Sequence, residues 1–347
     1  MAIDNTNRSD SGTGLEISLF REGDGEGITA LFRDVYGEGY PIKLFYDPAA
    51  IARANAAGDY YSITARQSGE IVGVEHLYRS APDPCVYEAG AGLVRKDCRN
   101  LGLTKRLLEF ICEEWVPQQP GIHEVFGEPV CNHPYMQKAV AGLRFVEMAL
   151  EIALMPAEAY TQEQSATGRV AALLIFRSYR PKPHRIFLPP VYDKELRFLY
   201  QPLDEPRELA TADEPLPTAS PSAITMTLFD FARVARIAVA HAGGDFIERL
   251  TALEQEATAR GVWVFQVWLN LAQPCVGAGV EHLRQEGYFL GGPLPRWFDT
   301  DGLLMQKLLC PPDFDQIQLH SDRAREILAL LRQDWDSVHL GQQCGKK

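Results

Sequence analysis

The feature that most constrains this chain is a succession of elements laid down twice. Residues 85–94 (CVYEAGAGLV) read as a strand, and 104–115 (TKRLLEFICEEW) as a helix with Leu107, Leu108, Ile111 and Trp115 on one side. A strand at 123–130, a short helix at 134–145 ending at Gly142, and a strand at 146–155 follow. Residues 232–243 (ARVARIAVAHAG), 245–261, 262–271, 277–289 and 302–310 give the same order again. The ends of the short helices match as well, AVAGLRFVEMAL in one half and HLRQEGYFLGG in the other. Ahead of the first succession lie a strand (15–20), a helix (26–37) and a hairpin (60–80) with Ser68-Gly69 at its turn. The expected fold class is therefore α/β with a mixed sheet, present as two copies of one fold.

The copies are expected at 15–157 and 165–310, with residues 170–179 (VAALLIFRSY) as the first strand of the second. Residues 1–14 read as a disordered tail, the Pro-rich stretch 180–221 as a separator, and 321–337 as a closing helix capped by Ser321. A length of 347 residues suits two domains, and 46% hydrophobic content can supply a core to each. The net charge of −12 argues against nucleic acid or an anionic membrane as partner, since phosphates demand a basic surface. The seven cysteines are odd in number and form no CxxC pair, which points to free thiols and a cytoplasmic location. No apolar leader and no run near the ~20 residues of a membrane span is read. The scattered histidines offer no metal-ligand spacing.

Between the strand and helix of the first succession lie Arg99, Asn100, Leu101, Gly102, Leu103 and Thr104. A helix N-terminus has unpaired N–H groups and a positive dipole end, so it suits an anion. Lys105 and Arg106 add positive charge in a first turn that normally prefers acids. The preceding strand carries Gly90 and Gly92, and glycines in a strand often mark a ligand lying against the backbone.

On these residues, and on CNHPYMQKAVAGL further along, the chain resembles the GNAT superfamily of acetyl-CoA-dependent N-acyltransferases. The turn is similar to the family signature Arg/Gln-x-x-Gly-x-Gly/Ala, with Thr104 at the last position. The resemblance implies acetyl-CoA as cosubstrate. The backbone of Arg99–Thr104 would hold its pyrophosphate. Leu93, Val94 and Arg95 would pair with the pantetheine arm, with the Val94 N–H polarising the thioester carbonyl. Asn132 would lie near the pantetheine.

Transfer to an amine needs a proton acceptor. Glu88, two residues before Gly90, is the first candidate; Glu75 on the neighbouring strand is the second, with His76 as its alternative. The family often uses a tyrosine acid four residues before the glycine of the late helix, but that position is Lys138, and Tyr135 is the nearest substitute. Residues 37–55 are expected to shape the acceptor site, with Tyr40, Phe45 and Tyr46 as contacts. The second copy has Gly243-Gly244 followed by Asp245, good for capping and poor for phosphate, so it is expected to be structural or to shape the acceptor site; in the sensing alternative below it would meet a protein partner. Two functions follow: an N-acetyltransferase acting on a small-molecule or protein amine, or a non-catalytic protein that senses acetyl-CoA.

Overall fold

The computed structural model describes residues 7–10, 14–160 and 168–344. The chain divides into two compact units. The first runs to Glu128 and includes Lys138–Phe145; the second comprises Pro129–Gln137 and the chain from Val146 onward.

In the first unit, β1 (Asn7–Asp10) and β2 (Leu15–Leu19) pair antiparallel. Residues 7–10 thus form a strand within the expected tail, covering the open edge of β2; residues 1–6 and 11–13 lie outside the described residues. Helices α1 (Asp24–Tyr36) and α2 (Pro48–Ala57) follow. The Asp47 carboxylate accepts from the N–H groups of Ala49 and Ala50 and so starts α2. Strands β3 (Tyr60–Gln67) and β4 (Glu70–Tyr78) form the expected hairpin. Its turn residues Ser68 and Gly69 both take positive φ, 53° and 87°, which matches the twist of the flanking strands. Next come β5 (Val86–Val94), α3 (Leu103–Glu109), a π-helical continuation of α3 at Phe110–Trp115, and β6 (Glu124–Gly127). β2 to β5 are antiparallel neighbours, and β6 lies parallel to β5, as the helical crossover between them requires. On one face, Ile28, Leu31, Phe32 and Val35 of α1 pack on Val74 and Leu93 with Phe45 and Ile51.

The short helix α4 (Tyr135–Ala139) lies where the chain passes from the second unit back to the first. In the second unit, β7 (Val146–Pro156) and β8 (Arg169–Ser178) are an antiparallel pair. Residues 170–179 were expected to open the second copy. Their partner is instead the preceding strand, and both are buried over most of their length. The Pro-rich stretch is ordered structure rather than a separator: β9 (His184–Leu188), α5 (Asp193–Tyr200) and β10 (Arg207–Thr211), with β9 and β10 parallel. A buried ion network holds it. Asp301 accepts from Arg207 Nε (2.6 Å), the Arg296 N–H (2.9 Å) and His184 Nε2 (3.1 Å), while Glu205 meets Arg207 (2.8 Å) and Arg296 (3.1 Å).

The remaining elements are β11 (Ala223–Phe229), β12 (Val234–His241), α6 (Phe246–Ala259), β13 (Val264–Asn270), α7 (Val276–Gln285), β14 (Phe289–Leu294), β15 (Gly302–Leu308) and α8 (Asp322–Cys344). They build a sheet of order β11-β12-β13-β15-β14. β12 and β13 are parallel across α6, as β5 and β6 are across α3. β14 and β15 are an antiparallel pair after α7, as β7 and β8 are after α4. β12–β15 thus repeat the strand directions and order of β5–β8, but in that match 302–308 (β15) corresponds to β8, whereas 302–310 was expected to match 146–155; the counterpart of β7 is β14. No helix among the described residues is long and apolar enough to cross a membrane.

Candidate functional site

The site grows from one irregularity in the β4–β5 ladder. Val74 pairs with Leu93 and His76 with Gly90, so Ala91 and Gly92 of β5 together face the single residue Glu75 of β4. That is a β-bulge, and Ala91 takes φ of 52° to make it. A side chain on Gly92 would place its Cβ 1.8 Å from Glu75 Oε2. Gly90 is similarly spoken for: a Cβ there would lie 2.9 Å from the Tyr78 hydroxyl and 3.1 Å from Glu88 Oε1. The two glycines, read as room for a ligand, make room for two carboxyl groups of the protein itself.

Beyond the bulge, the Arg95 N–H bonds Val72 O at 2.9 Å. By antiparallel alternation Leu93 bonds Val74, and the N–H of Val94 between them points away from β4. On that other side, β5 pairs with β6 only over Val86–Glu88. The edge of β5 from Ala89 to Val94 therefore parts from β6, and the Val94 N–H faces the parting. Of the three residues expected along the pantetheine arm, Arg95 has its N–H committed to the sheet and its guanidinium to Asp97 (2.7 Å) and Glu70 (3.2 Å). Arg99 Nε reaches back to the Val94 carbonyl at 3.4 Å.

The turn runs as a 3-10 segment, Lys96–Leu101, into Gly102, whose φ of 68° is left-handed. A Cβ at Gly102 would meet nothing within 4 Å, so glycine is needed for its backbone conformation, not for space. The first helical bond of α3 runs from Arg106 N–H to Gly102 O, which leaves the N–H groups of Leu103, Thr104 and Lys105 without a helical acceptor. No side chain caps them. Arg99, Leu101 and Gly102 are exposed, Thr104 is half-buried and Leu103 is core. The Asn100 side chain lies outside the described residues.

Glu75 is 2% exposed, and among the described residues its carboxyl has no hydrogen-bond partner. Burial, followed by the charge of Glu88, pushes its pKa up to about 8. Glu88 is also buried, and the Tyr78 hydroxyl donates to its Oε1. Tyr60 pairs with Tyr78 across the β3–β4 ladder, and their rings stack at 5.1 Å. Burial and the Glu88 charge raise Tyr60 to about 12. Tyr40 is raised by burial, then by Tyr36, Glu88 and Glu75, which places its hydroxyl in the field of both carboxyl groups.

His76 lies on the other face of β4 from Glu75. It is fully buried, its Nδ1 2.9 Å from Ser62 Oγ and its ring 4.7 Å from Phe45. Burial pushes it down to about 3, so it is neutral and set among rings. Phe45 is 0% exposed and stacks on Phe32 at 4.2 Å; it serves the core. Tyr46 accepts the Tyr40 N–H at its hydroxyl (2.9 Å) and so fixes the backbone that carries Tyr40. Asn132 and Tyr135 fall in the second unit: Asn132 is buried, and Tyr135 is 70% exposed with its ring 4.8 Å from His133. Tyr60 and Tyr78 were not read from the sequence; the Tyr60–Tyr78 and Tyr78–Glu88 strand pairings bring them in.

The corresponding turn of the second repeat, between β12 and α6, is filled by the chain itself. The Gly244 N–H bonds Ser220 O (2.9 Å), the Gly243 N–H bonds Ser222 Oγ (2.8 Å), and Asp245 accepts the Ser222 N–H (2.7 Å). A Cβ on Gly243 would come within 2.1 Å of Ser220 O. The donors that face outward in the first repeat are thus used internally in the second.

No family model matches the sequence, and no curated protein matches it. Among solved structures, the ribosomal-protein-S5-alanine acetyltransferase from Vibrio fischeri is similar at 10% identity, with 50% of this chain and 97% of that one covered and a TM-score of 0.40. An N-acetyltransferase from Staphylococcus aureus Mu50 is similar at 14% identity, covering 48% of this chain and 99% of its own, with a TM-score of 0.39. The ribosomal-protein-S18-alanine N-acetyltransferase from Escherichia coli is similar at 15% identity, with coverage of 48% and 96% and a TM-score of 0.38. Each is a likeness of backbone path between about half of this chain and nearly the whole of an N-acetyltransferase.

Proposed function

We propose that this protein is an N-acetyltransferase that moves an acetyl group from acetyl-CoA to an amine by direct attack, with one active site, in the first repeat. The observation that carries this reading is the Glu75 carboxyl: buried, without a hydrogen-bond partner among the described residues, raised to about 8 and laid against exposed Gly92 where β5 parts from its neighbour. A general base works best with a pKa near the operating pH, and burial beside a second carboxylate is how a protein sets one there.

When bound, acetyl-CoA supplies a thioester carbonyl open to a nucleophile. Val94 offers an N–H directed into the parting, positioned to polarise that carbonyl. The N–H groups of Leu103, Thr104 and Lys105, with the exposed Arg99, suit a pyrophosphate. Glu75 takes the amine proton. Glu88, expected from the sequence as the base, has one oxygen engaged by Tyr78 and acts on Glu75 through its charge. In this reading the second repeat holds no coenzyme, because residues 217–222 occupy its turn.

The test is thiol release from acetyl-CoA with a panel of amines. Release that falls about 10²–10⁴-fold in Glu75→Gln, with coenzyme A affinity kept, supports the reading. Coenzyme A binding with no release for any amine would favour the sensing protein instead.

A further inference from the structure

The two sheets repeat one another from β5 and β12 onward and differ before them. In the first, β4 lies antiparallel to β5, and β3, β2 and β1 continue the sheet beyond it. In the second, β11 lies antiparallel to β12 as β4 does to β5, and it ends the sheet. Among the described residues, no backbone group of Ala223–Phe229 bonds any segment other than β12. One side of β11 is therefore a row of unpaired N–H and C=O groups. Proteins blunt such an edge by making it short, charged, proline-bearing or bulged. The first sheet ends in a strand of four residues, and β10 carries Arg207 and Glu208. β11 uses none of these devices. It is seven residues long, AITMTLF, without charge or proline. The register shift at its start is an extra residue, Ala240, on β12, so β11 itself stays regular.

An open edge takes up another strand through main-chain bonds, and side chains decide which strand. We propose that β11 takes the β11 of a second copy of this chain, antiparallel, with the two-fold axis at Met226. The pattern of β11 is complementary to itself in that register. Ala223, Thr225, Thr227 and Phe229 are exposed on one face; Ile224 is buried and Met226 and Leu228 are half-buried on the other. Phe229 would stand opposite the second copy's Ala223, a large side chain over a small one. Thr225 would stand opposite the second copy's Thr227, and Leu228 opposite its Ile224. Threonine pairs and apolar pairs both favour the ladder. No charge meets a like charge. Asp230, the first charged residue after the strand, falls beyond the paired stretch and is bonded to Arg260 at 2.9 Å. A charged strand would find no ion partner on this edge, whereas every copy of the chain supplies an uncharged one. The pairing joins two five-stranded sheets into one. It is independent of the acyl-transfer reading.

The experiment is sedimentation equilibrium of the full chain over a concentration series, with hydrogen exchange on the same samples. The wild type should pass from monomer to dimer, and the amides of Ala223–Phe229 should exchange more slowly as the dimer fills. Thr225→Lys with Thr227→Lys sets lysine opposite lysine twice and should weaken the dimer at least about tenfold. Thr225→Lys with Thr227→Glu sets lysine opposite glutamate twice at the same positions and should keep the dimer within about threefold of the wild type. Thermal melts establish that each variant is folded. Phe229→Ala, which empties the large-over-small pair, should weaken the dimer at least about threefold and decides the question if a lysine variant fails to fold. A chain that is monomeric at every concentration overturns the proposal and leaves the edge to a strand of another protein. A dimer untouched by the paired lysines, one weakened equally by lysine with glutamate, or one that forms without protecting the β11 amides also overturns it, because the contact then lies elsewhere or in another register.

Discussion

Gly92 lacks a side chain because the Glu75 carboxyl occupies the place where one would go. Gly92→Ala should therefore displace the carboxyl and lower the turnover rate at least about tenfold, with coenzyme A affinity little changed; steady-state rates and calorimetry check both halves. The raised pKa of Glu75 has a sign. Its ionised form, the proposed base, appears as pH rises through about 8, so kcat/KM should climb through that pH and level off above it. Removing the neighbouring charge with Glu88→Gln should move the climb to lower pH. The same shift costs stability. The folded state holds the Glu75 proton up to about 8, against 4.5 for the model value, so stability is lost as pH rises between the two. Glu75→Gln should remove this loss and be more stable than the wild type at pH 9, by on the order of a few kcal/mol in denaturant titrations. Both acids were legible in the sequence, since a carboxylate next to strand glycines is a visible signal. The division of labour proposed for them was not. It depends on a bulge that turns Gly92 onto Glu75, and a bulge breaks the two-residue alternation by which faces are assigned.

At the scale of elements, the two strand–turn–helix units differ in what their glycines do. Gly102 is open on all sides but left-handed, so Gly102→Ala should cost about 1–2 kcal/mol of stability through backbone strain alone. Gly243 is pressed on Ser220 O, and Gly243→Ala should cost more, because that neighbour is backbone and cannot swing aside. Thermal melts of the two variants rank them. Most helices and strands were legible from periodicity, and the repeat from their order. β14 was not. The helix was expected to run to residue 289 and no strand was read in FLGGPL, yet Gly291 lets the strand pack on the Leu304 side chain and Gly292, at φ 125°, makes a bulge. The stretch 180–221 was misread for a related reason. Its prolines suggested a separator, while the charged residues that hold it, Arg207 and Glu205, find Asp301 and Arg296 about ninety residues away in the chain, beyond the reach of any local pattern.

For the whole molecule, that ion network makes stability depend on pH. Burial opposes charge on His184, but its hydrogen bond and attraction to Asp301 outweigh burial and raise its pKa. This contribution is present in acid and is lost as pH rises through the raised value. Burial also opposes charge on Asp301, yet the His184 hydrogen bond and the Arg207 charge hold it well below the usual carboxylate range. That contribution is present above about pH 4 and fades as pH falls. The melting temperature should therefore be highest between roughly pH 4 and 6.5, and His184→Gln should flatten the acid-to-neutral decline. What the two repeats do with their turns underlies the proposal of a single coenzyme site: in the first the turn donors have no helical acceptor and no side-chain cap, and in the second the turn is closed by its own chain. Calorimetric titration of coenzyme A tests this most directly, on the wild type, on Gly102→Glu and on Asp245→Asn. The account predicts about one site per chain, an affinity at least about tenfold weaker in Gly102→Glu, and no change in Asp245→Asn, although that substitution removes the charge that would repel a phosphate. Two sites per chain, or binding that survives Gly102→Glu and responds to Asp245→Asn, would contradict it.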